Sequence, residues 1–176
     1  LRLILGDLTP EESAILDEAL IQTYAIKDIT PDSNFANAAP PVLSDLQNIM
    51  EGLAGAESMA TRLKKYTTGT FAGFLNMPTN VLLDNNLVVF SIRDMEEELR
   101  PIAMYTILNY IWTSVRRTQK KRLLIVDEAW WLMKYEIGAA FLSNVAKRAR
   151  KYYLGLTTIS QDIADMLSSD KGKSIV

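Results

Sequence analysis

The chain has 176 residues, 48% hydrophobic and 23% charged, with a net charge of −2. That suffices for one domain with a sizeable core and a small subdomain beside it. Cys 0 and His 0 exclude a disulfide framework, a Cys/His zinc site and thiol or imidazole catalysis. A nucleic-acid partner would need a local basic patch, because the overall charge offers no attraction. No apolar run approaches the ~20 residues needed to span a bilayer, and no signal peptide is visible. The lack of cysteine fits a cytosolic compartment. The chain starts at Leu1 and ends in a polar stretch at Val176, as expected of a piece of a longer protein.

A short apolar run, Leu1–Leu5, ends at Gly6. Thr9 as N-cap, Pro10 at the first helical position and Glu12 three residues after the cap form a capping box. Ile15, Leu16, Ala19, Leu20 and Thr23 then follow at helical spacing, which predicts a helix to about Ala25. Residues 27–41, with Thr30-Pro31-Asp32-Ser33 and Pro40-Pro41, read as loop. Shorter helices are predicted near 42–53 and 56–66, separated by Gly52 and Gly55. Residues 67–86 look irregular, but Phe71, Phe74 and Leu75 should pin that loop to a core.

From Leu87 the pattern changes. Leu87–Ile92 reads as a buried strand with Arg93 and Asp94 at its end, and Pro101 opens a long helix to about Thr118. Arg116, Arg117, Lys120 and Lys121 close that helix, where cations complement the dipole; this is preferred to a DNA-binding role. A second strand, Leu123-Leu124-Ile125-Val126, runs into Asp127-Glu128. Without polar alternation it reads as buried on both faces. A helix over 136–150 and a third strand, 153–159, ending in Ser160-Gln161-Asp162, follow, and a last helix reaches Leu167. Strand–helix alternation predicts an α/β fold with a parallel sheet, so Asp94, Asp127, Glu128 and Gln161 should converge on one rim.

Ligands bind at that rim in open α/β sheets. A strand ending in Asp-Glu is the form of a Walker B segment: Asp127 would hold Mg²⁺, and Glu128 would orient or deprotonate the attacking water. The bland alternative is an acidic turn, or Asp127 capping the next helix. Gln161 suits a sensor of the γ-phosphate, or equally a polar helix start. Lys147, Arg148, Arg150 and Lys151 either complement a helix C-terminus or supply an arginine to a neighbouring subunit. Trp130 and Trp131 are expected to pack under the rim. Gly172-Lys173-Ser174 ends like a P-loop, but the first glycine position is Leu167 and no strand precedes it. The chain thus carries half of an ATP site, and by itself it is expected neither to bind nucleotide tightly nor to hydrolyse it.

Three blocks together, Leu-Leu-Ile-Val-Asp-Glu-Ala-Trp at 123–130, Ala-Lys-Arg-Ala-Arg-Lys-Tyr at 146–152 and Thr-Thr-Ile-Ser-Gln-Asp-Ile-Ala-Asp at 157–165, closely resemble the conjugative-transfer ATPases of type IV secretion systems. These belong to the HerA–FtsK group of hexameric P-loop motors. The resemblance implies a partial RecA-like sheet over 87–176 (with 1–8) and a helical subdomain over 9–86. It implies an ATPase using ATP and Mg²⁺ in the parent protein, with Asp127, Glu128 and Gln161 as Walker B and sensor and Arg148 or Arg150 as the trans arginine. It further implies a hexamer, partners in a secretion or conjugation apparatus, a DNA or protein substrate, and a place at the cytoplasmic face of the bacterial inner membrane. A DNA-translocating motor of the same superfamily and a non-catalytic α/β interaction domain are the alternatives.

Overall fold

The computed structural model describes residues 1–33, 38–80, 85–161 and 173. The chain forms two compact units, Leu1–Val88 and Val89–Val176.

The first unit is helical. It comprises α1 (Arg2–Leu5), α2 (Pro10–Ala25), α3 (Leu43–Glu51), α4 (Glu57–Thr67) and the short α5 (Ala72–Leu75). The capping box forms as its residues dictate: Glu12 N–H donates to Thr9 Oγ1 at 3.2 Å, and Thr9 N–H donates to Glu12 Oε2 at 3.0 Å. Asp45 likewise accepts the N–H of Val42 at the start of α3, at 2.9 Å. Gly55 turns the chain between α3 and α4 at φ +82°, a conformation that suits glycine. Leu16, Ala19, Leu46, Met50, Met59 and Leu63 make the core. Asn76 fastens the stretch after α5, donating to the Thr67 carbonyl (2.9 Å) and accepting the Ser44 N–H (2.8 Å). Phe71 is buried against Tyr66, with ring centroids 5.7 Å apart, whereas Phe74 stays exposed.

Residues 1–8, grouped from the sequence with the second half, lie in the first unit instead. Leu5 is buried in the helical core, and Arg62 of α4 donates to its carbonyl while pairing with Glu12 at 2.7 Å. Leu5 and Ile4 pack into the helical core, with α4 against α1, whereas Leu1 and Leu3 stay exposed.

The second unit contains α6 (Arg100–Arg117), β1 (Arg122–Val126), α7 (Ala129–Met133), α8 (Glu136–Arg148), a 3₁₀ turn (Ala149–Tyr152) and β2 (Leu154–Thr158). β1 and β2 pair in parallel, Arg122 opposite Leu154 and Val126 opposite Thr158. Parallel neighbours need a crossover, which α7 and α8 provide. Leu124, Val126 and Leu156 pack against α6 and α8 through Met104, Leu108, Val115, Leu142 and Val145. Gly138 lets α8 approach α7: a Cβ there would meet the Leu132 carbonyl oxygen at 2.3 Å.

Two expectations are corrected here. Leu87–Ile92 is not a strand, and Leu87 and Val89 are largely exposed. β-propensity needs a ladder partner to become a strand, and none pairs with this stretch among the described residues. Asp94 consequently sits in an exposed turn, not at a strand end. Second, β1 is covered on one face only; Leu123 and Ile125 on the other are exposed. The helix predicted up to Leu167 and the Gly172-Lys173-Ser174 segment fall outside the described residues, Lys173 excepted.

Candidate active site

β1 ends at Val126, and its ladder with β2 is extended by two backbone hydrogen bonds. Ile159 N–H donates to the Val126 carbonyl and Ala129 N–H to the Ile159 carbonyl, each at 2.9 Å. To return to β2 in this way the chain must turn sharply at Glu128, which adopts the left-handed conformation at φ +49°. For a residue with a Cβ that costs about 1 kcal/mol or more. Strain of this kind concentrates where a side chain is held for a purpose.

The turn brings Glu128 beside the end of β2. Gln161 Nε2 donates to Glu128 Oε1 at 2.8 Å, across 33 positions of sequence. The other carboxylate oxygen, Oε2, accepts the indole N–H of Trp130. The Trp130 ring lies under Lys134 Nζ, 4.4 Å from its centroid. Glu128 is therefore clamped on both oxygens, by an amide from the neighbouring strand and by an indole from its own helix. Asp127 is exposed, and its Oδ1 accepts the Glu128 N–H at 3.0 Å. Its Oδ2 has no hydrogen bond or ion pair among the described residues.

The structure thus brings Asp127, Glu128 and Gln161 together on an open rim. A cavity of about 320 Å³ beside α2 and α3 belongs to the first unit and is lined by none of them. Arg148 and Arg150 are exposed at the entering end of β2. The length of that strand, about 16 Å at the usual rise, separates them from the rim. Sequence reading missed Trp130. It expected core packing for both tryptophans, yet both are half-buried, and Trp130 reaches the carboxylate. The signal available was its spacing, two residues beyond Glu128 on the first turn of a helix.

The fit to a divalent cation can be judged from the donors. Mg²⁺ in phosphoryl-transfer sites takes one or two carboxylates and completes its shell with phosphates and water. A single exposed Asp with a free oxygen meets that demand. No cluster of three acidic, His or Cys ligands exists among the described residues, so the donors suit a metal carried by phosphates, not an all-protein cage.

Residues 46–176 match the family model of the TraG P-loop domain. The chain belongs to that family. Over 99% of its length it is similar to the structure of VirB4 of Thermoanaerobacter pseudethanolicus, with 28% identity and a TM-score of 0.77. It covers 51% of that chain, so it spans about half the length of the solved relative. No match is found among curated proteins. The family expected from the three sequence blocks is the one found, and the second unit is an α/β domain of RecA-like fold. Among the described residues no helix is long and apolar enough to cross a membrane.

Proposed function

We propose that this chain is the Walker-B half of the motor domain of a type IV secretion or conjugal-transfer ATPase, with ATP and Mg²⁺ as its nucleotide and metal. The observation that carries this reading is the Glu128 carboxylate, held between Gln161 and Trp130 beside the free oxygen of Asp127. A metal there would supply charge neutralisation to the nucleotide's phosphates. Asp127 offers it a carboxylate oxygen. Glu128 orients the attacking water and receives its proton, and the strained turn together with its two hydrogen-bond donors fixes the direction of that carboxylate.

Gln161 couples the two events. Its amide donates to Glu128 in this structure, and with nucleotide bound the same amide would donate to a γ-phosphate oxygen, leaving Glu128 to the water. Arg148 or Arg150, a strand's length from their own rim, serve the site of a neighbouring copy in a hexamer. The phosphate-cradling loop lies elsewhere in the complete protein, and residues 9–86 form a helical subdomain. Partners in a secretion or conjugation apparatus would hold the assembly at the cytoplasmic face of the inner membrane, with pilus assembly or DNA or protein transfer as its output.

The test is Glu128→Gln in the complete protein. Loss of a general base costs on the order of 10²–10⁴ in turnover, while Mg²⁺-ATP should still bind by isothermal titration. Hydrolysis at the unaltered rate would remove Glu128 from this role.

A further inference from the structure

The helix α7 sets two tryptophans side by side, and each carries a cation on its ring. Arg100 lies over Trp131, 5.6 Å from the centroid, and Lys134 lies over Trp130 at 4.4 Å. The two pairs do different things. Trp131 meets Tyr135 edge-on at 5.1 Å, and Arg100 donates to the carbonyls of Met95 (2.7 Å) and Arg93 (3.2 Å), so this pair fastens α7 to the turn before α6. Ala129 and Leu132 are buried, and α8 approaches so closely that a Cβ on Gly138 would meet the Leu132 carbonyl carbon at 3.1 Å. The inner side of α7 is thereby fixed, and with it the place from which Trp130 starts.

Trp130, about 100° further round a helix than its neighbour, turns to the rim instead, where its N–H donates to Glu128 Oε2. Lys134 follows four residues later, the spacing that stacks two side chains on one helical face. It is exposed and has no ion pair among the described residues. A lysine at a helix C-terminus can complement the dipole, but α7 has only 5 residues and little dipole to complement. That role also needs no ring beneath the ammonium. Four groups thus form one line from the second strand to solvent: the Gln161 amide, the Glu128 carboxylate, the Trp130 indole and the Lys134 ammonium.

We infer that Lys134 is a positioning residue for Glu128, acting through the Trp130 indole. A cation on the ring face draws electron density from the indole and makes its N–H a stronger donor. Hydrogen bonds and charges joined in series polarise one another in this way, and a bond onto a carboxylate is already among the stronger ones. The effect matters most once Gln161 has turned to the nucleotide, because Trp130 is then the side-chain donor that still holds the carboxylate towards the water. The inference rests on the catalytic reading of Glu128 and adds to it a residue that touches neither nucleotide nor water.

The test sets Lys134→Met and Lys134→Arg, each with Trp130 intact and with Trp130→Phe, in the complete protein. Lys134→Met should lower kcat about threefold, the size of one exposed cation–π contact, with KM and the Kd for Mg²⁺-ATP by isothermal titration unchanged. Lys134→Arg should restore the rate, since a guanidinium also sits on an indole face. With Trp130→Phe, which keeps a ring but has no N–H, Lys134→Met should do nothing further. A second readout needs no nucleotide. Of the 3 tryptophan indole N–H signals in the chain's NMR spectrum, the one lost in Trp130→Phe should exchange with solvent about threefold faster in Lys134→Met, by the same contact. Loss of a nearby positive charge by itself repels hydroxide less well attracted and slows exchange, so acceleration reports a weaker hydrogen bond. Circular dichroism should overlay the parent.

The inference is overturned if Lys134→Met leaves kcat or the exchange rate unchanged, or if Lys134→Arg fails to restore them. An equal loss of kcat with Trp130→Phe, or weaker binding of Mg²⁺-ATP, overturns it too, since Lys134 would then act on the nucleotide directly. Should Glu128→Gln abolish turnover while Lys134→Met is silent, this inference alone falls; full turnover in Glu128→Gln removes both.

Discussion

In the first unit Leu5, Met50, Met59 and Leu63 are at most 1% exposed, and helices surround them on every side that the apolar stripe requires. In the second, β1 presents Leu124 and Val126 to a packed layer but leaves Leu123 63% and Ile125 55% exposed. The first unit spends its sequence on a core. The second, among the described residues, gathers Asp127, Glu128 and Gln161 at one end of a two-stranded sheet whose second face is exposed. A core tolerates little change of volume, whereas an exposed face tolerates much and an edge site depends on a few directed hydrogen bonds. The units should therefore answer mutation in different ways.

The largest contrast lies in stability. Leu63→Ala removes a side chain with no exposure from the centre of the helical core, and such changes cost ~2–5 kcal/mol. Urea denaturation followed by circular dichroism should show the first unit melting well before the second. A loss under about 1 kcal/mol would mean that the core collapses to fill the void.

Trp130→Phe sharpens the functional side of the contrast. It keeps a ring under Lys134 but deletes the N–H that Glu128 accepts. In the complete protein kcat should fall about tenfold, equivalent to about 1.4 kcal/mol, with KM unchanged. A fall in KM alone, or none in either, would show that Gln161 suffices to hold the carboxylate.

Ile125→Thr is the smallest. It keeps the β-branched shape on the bare face of β1, so stability should move by no more than about 0.5 kcal/mol. A cost of several kcal/mol would reveal a covering layer on that face and erase the difference between the units.

Much of the local structure was legible in the sequence because local rules determine it. Thr9, Pro10 and Glu12 announce a helix start whatever surrounds them, since the bonds they make lie within one turn. Leu123–Val126 and Leu154–Thr158 could be read as parallel strands from apolar runs and the intervening helix. The meeting of Glu128 with Gln161 follows from that topology alone, because parallel neighbours deliver their ends to one edge.

What sequence could not decide depends on partners distant along the chain. Leu87–Ile92 has the composition of a strand, but hydrogen-bonded pairing is a property of two segments, and no second one lies beside it among the described residues. Likewise Leu5 reads as apolar and no more; only the face of α4 assigns it to the helical core. Composition and short-range spacing fix what each segment can be. Three-dimensional packing fixes which segments share a surface, because burial and charge density are summed over neighbours in space.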